Sequence, residues 1–294
     1  MIQFVKRFTL PISILLGVVG YKIFWRFDFI TPYLIFAMLF FTFSKVNYKH
    51  LKPSWTHLRL IFFQILISTA IFYLIKGYNM AVAQGIMICI LCPTATAAAV
   101  ITKRLNGSFE FVASYTLYIN IAVAIYISLM FPLMGANGEN FDFYILFIKI
   151  FSKIFPLLIC PFLLAFAIRR LKKINNIIVK NSGIAFYIWS ISLIIVVSRI
   201  AKDFIDGNGN ETTTLMLSVG ALISCLFQFL AGKLIGKKAN LTIEAGQSLG
   251  QKNTIFAIWL ANTYFSPIVA VGAGAYVIWQ NLFNSAQIYY EERK

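Results

Sequence analysis

Apolar residues run through this chain in long unbroken blocks rather than in alternation. Ten blocks have the length of a membrane span, near 8–25, 29–45, 57–76, 80–102, 110–134, 143–168, 182–201, 213–236, 241–265 and 268–290. A bilayer core needs roughly 20 predominantly apolar residues in helical form. A transmembrane β-barrel would need alternating positions instead. The pattern therefore predicts an all-α polytopic membrane protein of about ten helices.

Two blocks carry polar groups at their centre. The fourth is interrupted at Cys92-Pro93-Thr94-Ala95-Thr96, where proline removes a backbone donor and clashes with the preceding turn. The ninth is crossed by Ser248-Leu249-Gly250-Gln251-Lys252-Asn253-Thr254, with Gly246 just before it. A lysine at mid-span costs about 2.5–3.5 kcal/mol, so it is expected to face protein or water rather than lipid. Glycine and polar groups at that depth predict a helix that opens around a cavity; the alternative is a continuous helix with a snorkelling lysine. Gly250 lies 157 positions after Pro93, close to half of 294. Five spans per half would place the second half inverted in the membrane. Two interrupted helices at matching places in inverted halves point to a transporter's midplane site.

Composition agrees. The chain is 60% hydrophobic and 12% charged, with a mean hydropathy of +0.79, which no soluble domain of this size matches. The net charge of +16 does not indicate nucleic acid, because the basic residues fall in clusters between spans. One set of loops holds Lys45, Lys49, Lys52, Lys103, Arg104, Arg169, Arg170, Lys172, Lys173, Lys180, Lys233, Lys237 and Lys238. The other includes Gly135–Asn140 and Asp206–Glu211. The positive-inside rule puts the first set and both termini in the cytoplasm, so in a bacterium the chain would sit in the inner membrane. Lys6 and Arg7 precede the first block without a small-residue cleavage site, so it reads as a span rather than a removed signal. Cys89, Cys92, Cys160 and Cys225 lie in apolar segments without metal-ligand spacing and read as packing residues. His50 and His57 read as solvated members of one basic loop. Asp142, Asp203, Asp206 and Glu211 are expected at the outer surface.

The two interrupted blocks also carry a family resemblance. Cys92-Pro-Thr-Ala-Thr-Ala-Ala-Ala-Val-Ile-Thr102, then Gly107, resembles the C-P-G-G-T-A-S-N-V-x-T…G stretch of the bile acid:sodium symporter family. Gly250-Gln-Lys-Asn-Thr254, Phe265-Ser-Pro267 and Trp279-Gln-Asn-Leu-Phe-Asn-Ser285 look like that family's E-x-G-M-Q-N-S…F-S-P…W-H-N-x-x-G-S. Pro32 to Pro53, with Met38 and Phe41, is a weaker match. The resemblance covers the ten-span chain and is most specific in its second half. It implies two inverted five-helix repeats that form a panel domain, here helices near 8–45 and 143–201, and a core domain, near 57–134 and 213–290, in which the two broken helices cross at mid-membrane. It also implies carriage of an organic anion, usually with sodium.

The departures fall on the family's sodium sites. The positions of its Ser and Asn ligands are Ala98 and Ala99, and those of a Ser and a Thr in the next span are Val112 and Thr116. Its Glu falls at Ser248 and its Gln at Lys252. Thr116, Asn253, Gln64 and carbonyls near Ser248–Gln251 are the oxygens left. A shifted register would put Glu244-Ala-Gly-Gln247 on the E-x-G-x-Q pattern and restore a sodium-coupled symporter, but it misplaces Phe265–Pro267 and Trp279–Asn281.

The expected function is thus secondary active transport of a small organic anion, with Lys252 standing in for the cation. Lys252 would stay charged and structural, or exchange its proton and couple transport to protons, or meet a substrate carboxylate directly. Gln64, Thr94, Thr96, Gln251, Asn253 and Thr254 are the other polar groups expected at the crossing; Asn120 and Asn281 read as packing. No catalytic motif is present, so no enzyme, cofactor or metal centre is expected. A membrane sensor that binds without transporting is the remaining alternative.

Overall fold

The computed structural model of the chain describes residues 2–46, 48, 51–133, 143–208 and 210–293. Lys49, His50, Asp142 and the loop 135–140, assigned above to loops and surfaces, lie outside them. In chain order the α-helices are α1 (Ile2–Val19), α2 (Tyr21–Phe24), α3 (Thr31–Ser44), α4 (Trp55–Ile75), α5 (Met80–Leu91), α6 (Ala98–Arg104) and α7 (Phe109–Leu133). They continue as α8 (Phe143–Ile168), α9 (Lys172–Lys180), α10 (Ile184–Asp203), α11 (Glu211–Lys237), α12 (Thr242–Gly250), α13 (Thr254–Tyr264) and α14 (Ala270–Glu291). A 3-10 stretch, Trp25–Ile30, joins α2 to α3.

Polar residues start the helices that follow tight connections, because the first N–H groups of a helix have no intrahelical acceptor. Asn79 accepts from Val82 N (3.0 Å) at α5, and Asn210 accepts from Thr213 N (2.9 Å) at α11. At α4, Ser54 Oγ accepts from His57 N (3.3 Å) while His57 Nδ1 accepts from Ser54 N (3.2 Å), a reciprocal box.

Among the described residues, six segments are long and apolar enough to cross a membrane: Tyr21–Ser44, Trp55–Ile75, Phe109–Leu133, Phe143–Ile168, Ile184–Gly207 and Glu211–Lys237. The chain is an all-α protein with the make-up of an integral membrane protein. The other four expected blocks differ for identifiable reasons. Blocks four and nine are split, so neither half reaches span length. The last carries Gln280, Asn281, Asn284 and Gln287 inside α14. The first is cut short: α1 ends at Val19 rather than near 25, and Tyr21–Phe24 belong to the next segment.

Two surface assignments are corrected. His57 is buried, its ring tilted against Phe111 with centroids 4.0 Å apart and its Nε2 3.1 Å from Phe111 O. The cap that fixes it to Ser54 turns its ring inward, against α7. Asp203 is also buried, paired with Arg199 one turn earlier at 3.1 Å.

The helices pack in a recurring set of pairs. α1 lies on α10 and α3 on α8; α4 lies on α5 and α11 on α12; α5 lies on α11 and α14, while α12 lies on α4 and α7. The largest buried cluster runs from Ile35 and Met38 on α3 through α7 to Phe256 and Leu260 on α13.

Candidate functional site

The site is built from two interruptions that lie against each other. α5 ends because Cys92 precedes a proline and is pushed into extended geometry (φ −52°, ψ 145°). α12 ends at Gly250, and Gln251 is extended (φ −98°, ψ 107°). The two extended pieces pair antiparallel through Thr94 and Lys252. Ala95 N donates to Gln251 O at 2.9 Å, and Asn253 N donates to Pro93 O at 2.8 Å. Among the described residues this is the only β pairing. Asn253 then starts α13, its Oδ1 accepting from Phe256 N at 3.2 Å.

Breaking two helices frees backbone carbonyls inside the protein, and buried carbonyls need donors. Side chains on other helices supply them. Gln64 Nε2 donates to Leu91 O (2.7 Å) and Cys92 O (3.0 Å), and Tyr115 OH donates to Gln64 Oε1 (2.9 Å). Thr94 Oγ1 donates to Ser248 O at 2.6 Å. Tyr276 OH donates to Gly250 O at 2.8 Å and accepts from Gln228 Nε2 at 3.0 Å. Gln280 Nε2 donates to Lys252 O at 3.2 Å, and Lys252 N donates to Gln280 Oε1 at 2.8 Å. The carbonyls of Ser248, Gly250 and Gln251, expected to remain as ion ligands, thus each carry a protein donor.

Four buried polar atoms at the second break are left unpaired. Lys252 is 1% exposed, yet its Nζ has no hydrogen-bond partner among the described residues; nor have Ser248 Oγ, Gln251 Oε1 and Asn253 Nδ2. Among the described residues, no carboxylate lies beside Lys252. Its electrostatic neighbours are Cys92, Cys89 and Cys225, the first two at the C-terminal end of α5. The partial negative charge of a helix C-terminus favours a cation there by about 0.3–1 kcal/mol, and by up to about 2 kcal/mol when partly buried.

Of the residues read from the sequence, Gln64, Thr94, Ser248, Gln251, Lys252, Asn253 and Thr254 come together at the crossing. Thr254 N donates to Lys252 O at 2.9 Å. Thr96 is half-buried just past the bridge, with no side-chain bond to it. Thr116 donates along its own helix to Val112 O (2.8 Å) and is not bonded to the crossing. Ala98, Ala99 and Val112 are buried and offer no side-chain oxygen. Glu244 lies in the first turn of α12, and its Oε1 accepts from Ser108 N at 2.8 Å, at the start of α7. Asn281 donates to Val277 O within α14, whereas both amide atoms of buried Asn120 are unpaired among the described residues. Tyr115, Gln228, Tyr276 and Gln280 were missed; the four-residue spacing of Tyr276, Gln280 and Asn284, one polar face inside an apolar helix, is the signal that points to the last pair.

A scan against protein-family models finds no match, and a search of curated proteins finds none.

Proposed function

We propose that this protein is a secondary active transporter of a small organic anion, similar to the bile acid:sodium symporters, in which Lys252 takes the place of bound sodium. The observation that carries the reading is the bridged pair of helix breaks with four unpaired polar atoms at Ser248, Gln251, Lys252 and Asn253. Unwound backbone at membrane depth is tolerated where it is enclosed by protein or lines a cavity, and transporters use it for binding. Alanine and valine offer sodium no ligand at Ala98, Ala99 and Val112. A fixed ammonium supplies the same charge without a free ion.

Ten spans in two inverted five-helix repeats are part of this reading. The packing supports it: with α1, α3, α4, α5, α6 and α7 matched to α8, α10, α11, α12, α13 and α14, the contact α1–α10 becomes α8–α3. In the same way α4–α5 becomes α11–α12, and α7–α12 becomes α14–α5. Side chains repeat as well, since Gln64 bonds Tyr115 in one half as Gln228 bonds Tyr276 in the other. In this reading α1–α3 and α8–α10 form the panel, and the remaining helices form the core that holds the crossing. Alternating access moves one against the other.

The position of Glu244 favours the Lys252 register over the shifted one, because its carboxylate caps the backbone of Ser108 instead of facing the break. The unpaired amine also favours proton coupling, with Lys252 losing and regaining its proton in each cycle. The test is a set of melting shifts across small organic acids, in sodium and in choline, followed by uptake into proteoliposomes. A ligand that binds the folded form raises apparent stability. Saturable binding without uptake makes the protein a sensor; no shift with any acid removes the organic-anion reading.

A further inference from the structure

The segment between α8 and α10, expected as a charged loop, contains a helix whose apolar face is uncovered. α9 is joined to the spans on either side by Arg169–Leu171 and by Asn181–Gly183. Three residues reach at most about 11 Å, so α9 stays at the membrane surface where those two spans end. Leu171, Ile174, Ile177 and Ile178 recur at three- and four-residue spacing and share one face. Leu171 is 54% exposed and Ile177 is 61% exposed, and no residue of α9 is buried. Lys172, Lys173 and Lys180 lie on the opposite side. The stretch 169–183 carries five basic residues and no acidic one. Its start is held in place: Arg169 Nη1 donates to Val46 O at 2.9 Å, and the guanidinium lies over the Tyr48 ring at 5.0 Å. α9 also rests against α3 and α8.

We propose that α9 is an anionic-phospholipid-binding helix lying in the membrane interface. Its isoleucines enter the boundary of the acyl chains, and its lysines meet lipid phosphates. The placement between two spans fixes the depth, the uncovered apolar face supplies the insertion, and the unbroken positive charge selects the headgroup. Each lysine near an anionic surface strengthens the contact about fivefold. Because α9 links α8 to α10 and touches α3, headgroup charge then sets how firmly these three helices are held together.

The test uses the full chain in lipid nanodiscs, with an environment-sensitive fluorophore at Ile177→Cys or, on the polar face, at Asn176→Cys. Both are made with Cys160→Ala, since the other three cysteines are buried. The expected result is blue-shifted emission at position 177 and water-like emission at 176. The shift at 177 grows when phosphatidylglycerol replaces part of the phosphatidylcholine, and the gain is lost in the triple variant Lys172→Gln, Lys173→Gln, Lys180→Gln. A second measurement needs no variant: the unmodified protein melts higher in the anionic discs, and about 1 M salt, with a screening length of about 3 Å, removes that increment. Water-like emission at both positions overturns the proposal. So does shielding at 177 that ignores headgroup charge and salt, or that follows protein concentration and so reports a second copy of the chain.

Discussion

Gln280 grips Lys252 through both ends of its backbone, accepting from Lys252 N at 2.8 Å and donating to Lys252 O at 3.2 Å. A strand neighbour makes this kind of double bond in a sheet; here one amide side chain on α14 makes it. The grip lets an extended residue sit inside a helical protein without orphaned backbone groups. It also fixes where the Lys252 side chain begins.

Gln280→Leu is therefore expected to destabilise the protein, since a buried donor left without an acceptor costs about 1–3 kcal/mol. Gln280→Glu keeps an acceptor for Lys252 N and should lose less. Melting of the purified variants in one detergent measures the order. Equal melting of Gln280→Leu and the unmodified chain would show that the grip contributes nothing.

Sodium should not bind beside a charged Lys252. Two like charges about 4 Å apart repel by about 4 kcal/mol at an effective dielectric of 20. Substrate uptake is expected to be the same in sodium and in choline at fixed pH. Lys252→Gln alone should not create sodium dependence, because Ser248 still lacks a carboxylate. The combination with Ser248→Glu, Ala98→Ser and Ala99→Asn should create it. A saturable sodium requirement in the unmodified protein would contradict the lysine reading.

Glu244 offers a clean contrast. Its carboxylate accepts from Ser108 N at the head of α7. Glu244→Gln keeps an acceptor and forfeits a charge near a helix N-terminus, about 0.3–1 kcal/mol. Glu244→Ala leaves Ser108 N without this acceptor and should cost more. Neither should change the response to sodium, which titration of the melting temperature with sodium chloride against choline chloride will read directly. A sodium response abolished by Glu244→Gln would revive the shifted register.

Close packing at the second break depends on two glycines. A side chain at Gly232 would run into the backbone of α12 at Ala245, and one at Gly250 into the ring of Phe229. Overpacking of this kind costs about 1–3 kcal/mol. Gly232→Ala and Gly250→Ala are both expected to lower the melting temperature. Gly77→Ala, where nothing lies within 4 Å, should not. Phe229→Leu should rescue part of the loss at Gly250 and none of the loss at Gly232.

The basic loops predict the sidedness of the chain. Lys238 and Glu211 are exposed at opposite ends of α11. An impermeant maleimide should label Glu211→Cys in intact cells and Lys238→Cys only after permeabilisation. The reverse pattern would invert the topology.

The all-α membrane class and the two breaks were legible in the chain alone. A bilayer forces backbone groups to pair within the segment, so continuous apolar runs admit one structure. Pro93 cannot donate and forbids helix at Cys92, and both effects are local. Which residues complete the breaks was not local. Gln64 is 27 and 28 positions from the carbonyls it serves, and Gln280 is 28 from Lys252. Only the packing of α4 on α5, and of α14 on α13, brings them there. His57 was misplaced for the same reason: a basic neighbourhood in sequence says water, while the cap at Ser54 and the ring of Phe111 bury it. Composition and periodicity thus determined a helical membrane protein with two interruptions. Tertiary structure decided which backbone atoms pair where the interruptions meet, which donors satisfy them, and that Lys252 is left among helix ends with its amine unpaired among the described residues.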